Sequence, residues 1–512
     1  MAGAAVNEVD STDVDFADVQ GLLRFGYGRL TRAAYALVRV KDAAAARAWL
    51  RAAPVSNAMF VNPPPDTALQ VAFTAPGLRA LGVPEAVIAG FSLAFRSGMA
   101  NESRARQLGD VGSSAPAYWQ WGGPANEAHL AVMFFARPEC FDAFLQALTG
   151  DAWRAAFGEP HWLATENLDG VEPFGFADGI SQPQIDWQQR DWQQPPAGDH
   201  YEYSNVVALG EFLLGYRNEY GKITDRPLLD PAAASADLLP ALDAPKKKDL
   251  GRNGSYLVMR QLEQDVRGFW QFIQQAAGGD PAEAQKLAAA MVGRTRAGDP
   301  LVPVRQQPIP GTGPDPEQIR LNQFTYDQDP AGARCPFGAH VRRANPRNAD
   351  FPVRPANLLK KLAIMLGFGP PGFRDDLMSA VRLHRILRRG REYGRELKPE
   401  DALASAPPDE PGRGLHFVCL NANISRQFEF VQNAWIASSK FSGLTGESDP
   451  LLGNRQPIPG CPLTDNFTLQ REGGLRRRVT ALPQFVAVRG GAYFFLPGLR
   501  ALHYIAGVGD GG

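Results

Sequence analysis

The seven histidines of this chain are the side chains best suited to ligate a metal, and His340 has the most distinctive surroundings. No two of the seven have the HxxH or HExxH spacing of a helical zinc site. His340 lies in CPFGAHVRRANPR, at residues 335–347, and is followed there by Arg342, Arg343 and Arg347. A neutral imidazole for the iron and fixed cations for two propionates are what a haem b site needs. Taken alone, the segment favours a surface loop with a basic edge.

A single aspartate, Asp178, is bracketed by glycines in EPFGFADGISQP, at residues 172–183. Gly175 and Gly179 allow the backbone to approach a flat ligand closely or to adopt a positive φ. The phenylalanines and the isoleucine of the segment make the surroundings of Asp178 apolar. A carboxylate in such a place can have its pKa moved into the range of acid–base catalysis. The alternative is an Asp-Gly turn without a function, which is a common structure.

A third segment, ILRRGREYG at residues 386–394, contains several arginines. Arg388 directly follows the apolar pair Ile386-Leu387, a position from which one guanidinium points inward while the other arginines face water. By itself the segment favours a solvated basic turn.

Four strand-then-helix units supply the framework for these three segments. Their strands are predicted at residues 35–40, 129–136, 255–262 and 415–420, and their helices at residues 42–52, 138–148, 265–276 and 424–436. The strands have period two or are fully apolar, and the helices carry apolar residues at spacings of three and four. Residues 67–74 and 491–496 are candidate additional strands. The pattern predicts an α+β fold of two ferredoxin-like halves, each an antiparallel β-sheet with helices on one face.

The predicted boundaries place the N-terminal half at residues 18–185 and the C-terminal half, which carries His340, at residues 251–500. Residues 186–250 connect the two. Segments 186–199, 306–318 and 398–414 are rich in proline or glycine, and loops of such length in a compact chain are usually functional or disordered.

Composition excludes several classes of protein. Of the 512 residues, 44% are hydrophobic and 21% charged, which is typical of a globular chain and not of a disordered one. The net charge of −1 argues against a nucleic-acid binder that relies on bulk positive charge. No apolar run approaches the roughly 18 residues of a membrane span, and the N-terminus has no apolar signal region. We therefore expect no membrane association and a cytoplasmic location.

The four cysteines form neither CxxC nor CxxCH. This spacing argues against a zinc site and against covalently attached haem, and it predicts reduced, mostly buried thiols.

Taken together, the three segments resemble the dye-decolorizing peroxidase family. GxxDG at residues 175–179, CPFGAHVRRANPR and ILRRGREYG occur in one chain and in this order. Further segments of the resemblance are GEFLLGYRNEYG at 210–221, NGSYLVMRQLEQDV at 253–266 and GLHFVCLNANISRQFEFVQNAW at 414–435. GxxDG alone is a weak signal, but the ordered set is specific and extends over nearly the whole chain.

The resemblance implies a haem-dependent peroxidase with two ferredoxin-like halves and non-covalently bound haem b. Such an enzyme reduces hydrogen peroxide and oxidises dyes, phenolics or other organic reductants through a ferryl intermediate. The family's proximal iron ligand falls on His340, its distal acid–base carboxylate on Asp178 and its distal arginine on Arg388. The apolar pair that lines the distal face falls on Leu415 and Phe417.

Other residues of the same motifs are expected to contact the cofactor. Gly175 and Gly179 would bring the backbone to it, and Arg342 and Arg347 would bind its propionates. A ligating imidazole normally has its second nitrogen held by an acceptor, for which the candidates are Asn421, Asn423 and Glu429. The family often oxidises bulky dyes at surface tyrosines or tryptophans. Trp119 and Trp121 stand out as candidates for this role, but core packing is the expected role of most aromatic residues.

Two departures indicate the longer members of the family. His340 and Arg388 are 48 residues apart, and the interval contains an insertion at residues 357–376. Gly390 stands where the shorter members have an asparagine two positions after the arginine.

Two other functions remain open at this point. One is a haem-handling protein with incidental peroxidase activity, which would not need the Asp178 and Arg388 pair. The other is a ferredoxin-like scaffold without haem. The expected partners are hydrogen peroxide and an organic electron donor, with a homo-oligomer also open.

Overall fold

The computed structural model describes residues 14–189, 203–233, 235, 237–348, 380–407, 409–456 and 463–508. Most of the connecting segment at residues 186–199, the insertion at 357–376 and Cys461 lie outside the described residues.

The N-terminal half is an antiparallel sheet whose strands are ordered β4-β1-β3-β2. Its strands are β1 (Arg32–Val38), β2 (Thr67–Phe73), β3 (Leu130–Ala136) and β4 (His161–Ala164), and its main helices are α1 (Ala43–Ala52), α2 (Pro138–Leu148) and α3 (Asp151–Ala156). Asp42 caps α1 by accepting a hydrogen bond from the N–H of Ala45, and Pro138 occupies the first turn of α2. This strand order is that of a ferredoxin-like unit.

The C-terminal half repeats that arrangement. Its strands are β5 (Ser255–Gln264), β6 (Leu387–Arg388), β7 (Arg391–Tyr393), β8 (Gly414–Asn421) and β9 (Val486–Leu496), and its main helices are α4 (Val266–Ala276), α5 (Pro281–Val292), α6 (His340–Ala344) and α7 (Leu499–Gly507). Both β6 and β7 pair with β8, which pairs with β5, and β5 pairs with β9. All of these pairings are antiparallel, so the predicted pair of ferredoxin-like halves is confirmed.

The sheets of the two halves also join edge to edge, which the sequence did not indicate. β9 pairs with β2 through Phe495 and Phe73, and the result is one sheet of nine strands.

Alternate residues of β1 enter two different cores, because side chains of a strand point to opposite faces. Ala34, Ala36 and Val38 face the larger core beneath the helices. Ala33, Tyr35 and Leu37 face a second core, which is closed by apolar residues of the N-terminal segment and of residues 203–250. The N-terminal segment and the part of the connecting segment that the structure describes therefore cover the face of the sheet opposite the helices.

The predicted helix at residues 424–436 is present in an altered form. It consists of two π-helical stretches, Ser425–Glu429 and Val431–Ala437, and the N–H of Glu429 donates to the carbonyl of Ile424, five residues earlier. π-Helical turns are rare and frequently lie at functional sites, and this one borders the cavity described below.

The remaining elements are short. The α-helices are Ala75–Ala80, Glu85–Ile88, Leu93–Ser97, Glu102–Leu108, Pro316–Asn322, Ala380–Leu383 and Pro399–Ala402. The strands are Gln184–Asp186, Val206–Ala208, Leu228–Leu229, Lys248–Asp249, Phe467–Leu469 and Arg477–Val479. The 3₁₀ turns are Gly21–Leu23, Gly112–Ser114, Pro116–Tyr118, Leu209–Glu211, Pro231–Ala233, Tyr326–Gln328 and Phe441–Gly443. Within the described part of the chain, none of the helices combines the length and the apolar character required to cross a bilayer.

Candidate active site

A cavity of about 290 Å³ lies on the helix-covered face of the C-terminal sheet. One wall is formed by alternate residues of three strands: Arg260, Leu262 and Gln264 of β5, Leu415 and Phe417 of β8, and Val486 and Val488 of β9. The register places Leu415 beside Leu262 and Phe417 beside Arg260. The predicted apolar pair, Leu415 and Phe417, therefore lines this cavity.

His340 is the first residue of α6 and lines the same cavity. Its Nδ1 lies 2.9 Å from Oδ2 of Asp449, whose side chain is fully buried. The other oxygen of Asp449 accepts the N–H groups of Leu451 and Leu452, both at 2.9 Å. Nε2 is then the ring nitrogen left to bind a metal on the cavity side. This is the arrangement in which a carboxylate orients a ligating imidazole and makes it more basic.

The ionisation of this pair is set by two opposed effects. Burial alone would lower the pKa of His340 and raise that of Asp449, because it disfavours both charged forms. The attraction between the two groups outweighs burial, so the pKa of His340 is raised and the pKa of Asp449 is lowered. The acceptor is Asp449 and not Asn421, Asn423 or Glu429.

Asp178 and Arg388 form an ion pair that also lines the cavity. Nη1 of Arg388 donates to Oδ1 of Asp178 at 2.9 Å, and the backbone N–H of Arg388 donates to Oε1 of Gln182 at 3.0 Å. Burial raises the pKa of Asp178, but the charge of Arg388 and the backbone N–H of Gly179 lower it by more. The net pKa of Asp178 is lowered, so this carboxylate is ionised and able to accept a proton.

The glycines of the Asp178 loop are needed for its shape. Gly175 and Gly179 have φ values of +90° and +72°, which residues with a side chain rarely adopt. The loop is held by the N–H of Ala177, which donates to the carbonyl of Arg296, and by the N–H of Asp178, which donates to that of Gly170, both at 2.9 Å. Gly175 and Gly179 therefore shape the loop that carries the carboxylate.

Of the arginines after His340, the structure brings Arg347 to the cavity and leaves the other two outside its lining. Arg342 donates to Oδ2 of Asp329 at 3.0 Å and to the carbonyl of Cys335 at 2.6 Å, so its guanidinium already has partners away from the cavity, and its contact with a propionate stays a prediction. Among the described residues, Arg343 donates only to backbone carbonyls. Arg347 is buried, and its Nε has no hydrogen-bond partner among the described residues.

Another arginine of the cavity lining, Arg385, was missed in the sequence. It donates to the hydroxyl of Tyr203 at 2.8 Å and to Oδ1 of Asn205 at 2.7 Å. Its position three residues before Arg388 was a usable signal, because it belongs to the same run of basic residues.

Gly390, the departure from the shorter members, has a steric explanation. A Cβ atom at this position would lie 2.6 Å from the carbonyl oxygen of His416 and 3.1 Å from the backbone nitrogen of Val418. The turn between β6 and β7 therefore passes too close to β8 for any side chain at residue 390.

Most of the described aromatic residues are buried or partly buried, whereas Phe60, Tyr118, Trp162 and Tyr220 are exposed. Trp119 and Trp121 are 5% and 1% exposed, and both indole N–H groups are hydrogen-bonded, to Ser114 and Gln261. Cys335 and Cys419 are buried free thiols, and Cys140 is a partly buried one.

The donor set of the cavity fits a haem group. The imidazole of His340 has one nitrogen available for the iron, and the mainly apolar walls suit the macrocycle. Arg347, which has an unpaired buried nitrogen among the described residues, suits a propionate.

Comparison with known proteins supports the same assignment. No family model matches the chain. Peroxidase 2 of Mycetinis scorodonius is 26% identical over 523 residues, covering 96% of this chain and 88% of that protein. Dye-decolorizing peroxidase AauDyP1 of Auricularia auricula-judae is 27% identical over 519 residues, covering 97% and 87%. The crystal structure of a fungal DyP-type peroxidase from Auricularia auricula-judae superposes with a TM-score of 0.70 at 25% identity and covers 97% of this chain and 100% of that one. In sequence over nearly its whole length and in fold, the chain is similar to dye-decolorizing peroxidases.

Proposed function

We propose that this protein uses non-covalently bound haem b to reduce hydrogen peroxide and to oxidise a dye, a phenolic compound or another organic donor. His340 is the proximal ligand, Asp178 the distal acid–base group and Arg388 the distal charge. The observation that carries the proposal is that the Asp178–Arg388 ion pair and an imidazole held by Asp449 line one cavity.

Haem bound through Nε2 of His340 would supply the coordination position for peroxide and the electrons for its reduction. Leu415 and Phe417 would then border the macrocycle, and Arg347 would bind a propionate as a fixed cation. Asp449 orients the imidazole and donates electron density to it through the Nδ1–H bond.

Asp178 performs the proton transfer. Heterolysis of the peroxide O–O bond requires that a proton leave one oxygen and reach the other, so that the departing oxygen leaves as water. Oδ1 of Asp178 is bonded to Arg388, which leaves Oδ2 to accept that proton and return it. Because Arg388 keeps the pKa of Asp178 low, the carboxylate remains a base on the acid side of neutrality.

Arg388 has a second role as a fixed positive charge. Its guanidinium is held by Asp178 and by the carbonyl of Ser181, and its backbone N–H by Gln182. A charge held in this way stabilises the peroxide anion and the negative charge that develops on the departing oxygen, without reorganisation during the reaction. A protein that only carries haem would not need this pair.

The test begins with the protein loaded with haem, its visible spectrum and its reaction with peroxide in the presence of a phenolic donor. Asp178→Asn should keep haem and slow the reaction with peroxide by about a hundredfold or more, the usual contribution of such a group. Asp142→Asn is the matched control, because Asp142 is exposed on α2.

If Asp178→Asn reacts with peroxide at the wild-type rate, Asp178 is not the distal acid–base group. A Soret band that peroxide does not change would indicate the haem-handling protein instead. Failure to take up haem would indicate the scaffold without a cofactor.

A further inference from the structure

Another carboxylate, Glu172, lines the same cavity and lies six residues before Asp178. Its Oε1 accepts the N–H of Phe176 at 3.0 Å, and its Oε2 accepts the N–H of Phe174 at 3.0 Å. Oε2 also accepts Nε2 of Gln264 at 2.8 Å, which ties the carboxylate to β5. One side chain thus joins the Asp178 loop to the strand that forms the cavity wall.

The backbone of Glu172 is bound to the same loop. The N–H of Glu172 donates to the carbonyl of Phe176 at 2.9 Å, and the N–H of Gly175 donates to the carbonyl of Glu172 at 2.7 Å. The loop therefore folds back around Glu172, and its N–H groups at residues 174 and 176 converge on the carboxylate. Unpaired N–H groups inside a protein are costly, so this shape requires an acceptor at residue 172.

We propose that Glu172 is the positioning residue for Asp178: it fixes the loop of residues 173–177 and, through Gln264, attaches that loop to β5. The inference rests on the proposed function and deepens it. Glu172 does not exchange protons with peroxide in this account. It determines where the carboxylate of Asp178 lies, and a displacement of about 1 Å in a catalytic group can reduce a rate by about a hundredfold.

The electrostatics around Glu172 agree with this role. Burial raises the pKa of Glu172 to about 7, although the N–H groups of Gln264, Phe174 and Phe176 lower it. The charge of Asp178 is a smaller contribution to the same increase. The other charged groups at this loop are Arg388, which is paired with Asp178, and Arg296, which donates to the carbonyl of Gly175 at 3.2 Å.

Ionisation of Glu172 has a structural consequence. When the carboxyl group is protonated, one of its oxygens becomes a donor and cannot accept all the N–H groups that face it. The loop should therefore be held most firmly above pH 7.

The experiment compares Glu172→Gln with the wild-type protein. A glutamine retains one accepting oxygen but presents an NH₂ group to donors, so the loop loses at least one of its three side-chain hydrogen bonds. We expect haem to be retained, the peroxide reaction to slow by about tenfold to a hundredfold, and hydrogen exchange of residues 173–178 to accelerate. The wild-type protection of this loop should rise across pH 7, and this step should be absent from Glu172→Gln.

Two further variants make the result decisive. Glu166→Gln is the control, because Glu166 is exposed and lies six residues from Glu172. Gln264→Leu leaves both bonds between Glu172 and the loop intact and removes only the attachment to β5, so it should slow the reaction less than Glu172→Gln. If Glu172→Gln does not fold, Gln264→Leu decides, and faster loop exchange with a slower reaction supports the proposal.

The inference is overturned if either variant that folds has wild-type loop exchange, or if the loop exchanges faster while the rate is unchanged. A wild-type protein that binds haem but does not react with peroxide contradicts the proposed function instead. In that case, the exchange of residues 173–178 still shows whether Glu172 holds the loop.

Discussion

Replacing Arg388 with leucine tests whether the distal ion pair sets the pH range of the enzyme. Arg388 lowers the pKa of Asp178, so its removal should raise that pKa and protonate the base at a higher pH. At the observed separation of 2.9 Å, two unit charges attract by about 1.4 kcal/mol in a medium with the dielectric constant of water. The side chains are 35% and 30% exposed, and we therefore use this fully screened value as a lower limit.

A free energy of about 1.4 kcal/mol corresponds to a factor of about ten in the ionisation of Asp178. In Arg388→Leu the acid limb of the rate profile should move toward higher pH. On that limb the variant should lose at least about tenfold in rate in addition to its loss on the plateau. The loss on the plateau, from the missing charge next to the departing oxygen, should be about 10²- to 10³-fold.

The assay is the rate of the Soret change after rapid mixing with peroxide, measured at a series of pH values with haem-loaded protein. Arg388→Lys is the matched control, because it retains the charge and should keep the acid limb close to that of the wild type. An acid limb in Arg388→Leu that coincides with the wild-type limb would refute the idea that Arg388 controls the ionisation of Asp178.

Three further substitutions test other parts of the site. His340→Ala should abolish haem retention, measured by the Soret absorbance after gel filtration; full retention would contradict its assignment as the iron ligand. Asp449→Asn should reduce haem affinity or peroxide turnover by about 10- to 100-fold, the usual effect of losing such a partner, and equal values in a haem titration would exclude that role. Gly390→Ala should destabilise the protein by about 1–3 kcal/mol through contact with His416, and unchanged denaturant unfolding would show that β8 can shift.

The strands and helices were predictable because their patterns are local. The continuous apolar run that ends at Ala136, the N-cap residue Asp42 and the first-turn proline Pro138 each locate the end of an element to within a few residues. The joining of the two sheets was not predictable. It depends on one pairing, between Phe495 and Phe73, which are far apart in sequence and carry no pattern that distinguishes an edge strand from an inner one.

The residues that pair within the site were also not predictable from local patterns, because they are far apart in the sequence. Asp449 is 109 residues from His340, and an aspartate before a proline in LTGESDPLLGN has no feature that identifies it as an imidazole acceptor. Arg388 is 210 residues from Asp178, and only the resemblance of both motifs to one family indicated that they meet.

Helix geometry could in principle have predicted which of the arginines after His340 reaches the cavity. α6 begins at His340, and residues two apart on a helix point to different sides, so Arg342 could not share the direction of the imidazole. Arg347 lies three residues beyond the end of α6 at Ala344, lines the cavity and has a backbone φ of +56°. A positive φ at an arginine is uncommon and has no signal in the sequence.

The two carboxylates of the Asp178 loop, Asp178 and Glu172, have pKa values that are shifted in opposite directions. Asp178 faces a guanidinium, and its pKa is lowered; Glu172 accepts hydrogen bonds from neutral N–H donors and lies near the negative charge of Asp178, and its pKa is raised to about 7. Burial acts in the same direction on both, so the difference comes mainly from the charge of Arg388 beside Asp178. Asp178 can then act as the base at acid pH, whereas the hydrogen bonds that hold its loop are strongest when Glu172 is ionised. If both inferences are correct, the rate of the peroxide reaction should change with pH in two separate ranges: an acid limb set by Asp178 and a step near pH 7 set by Glu172. Arg388→Leu should shift only the acid limb, and Glu172→Gln should remove only the step near pH 7.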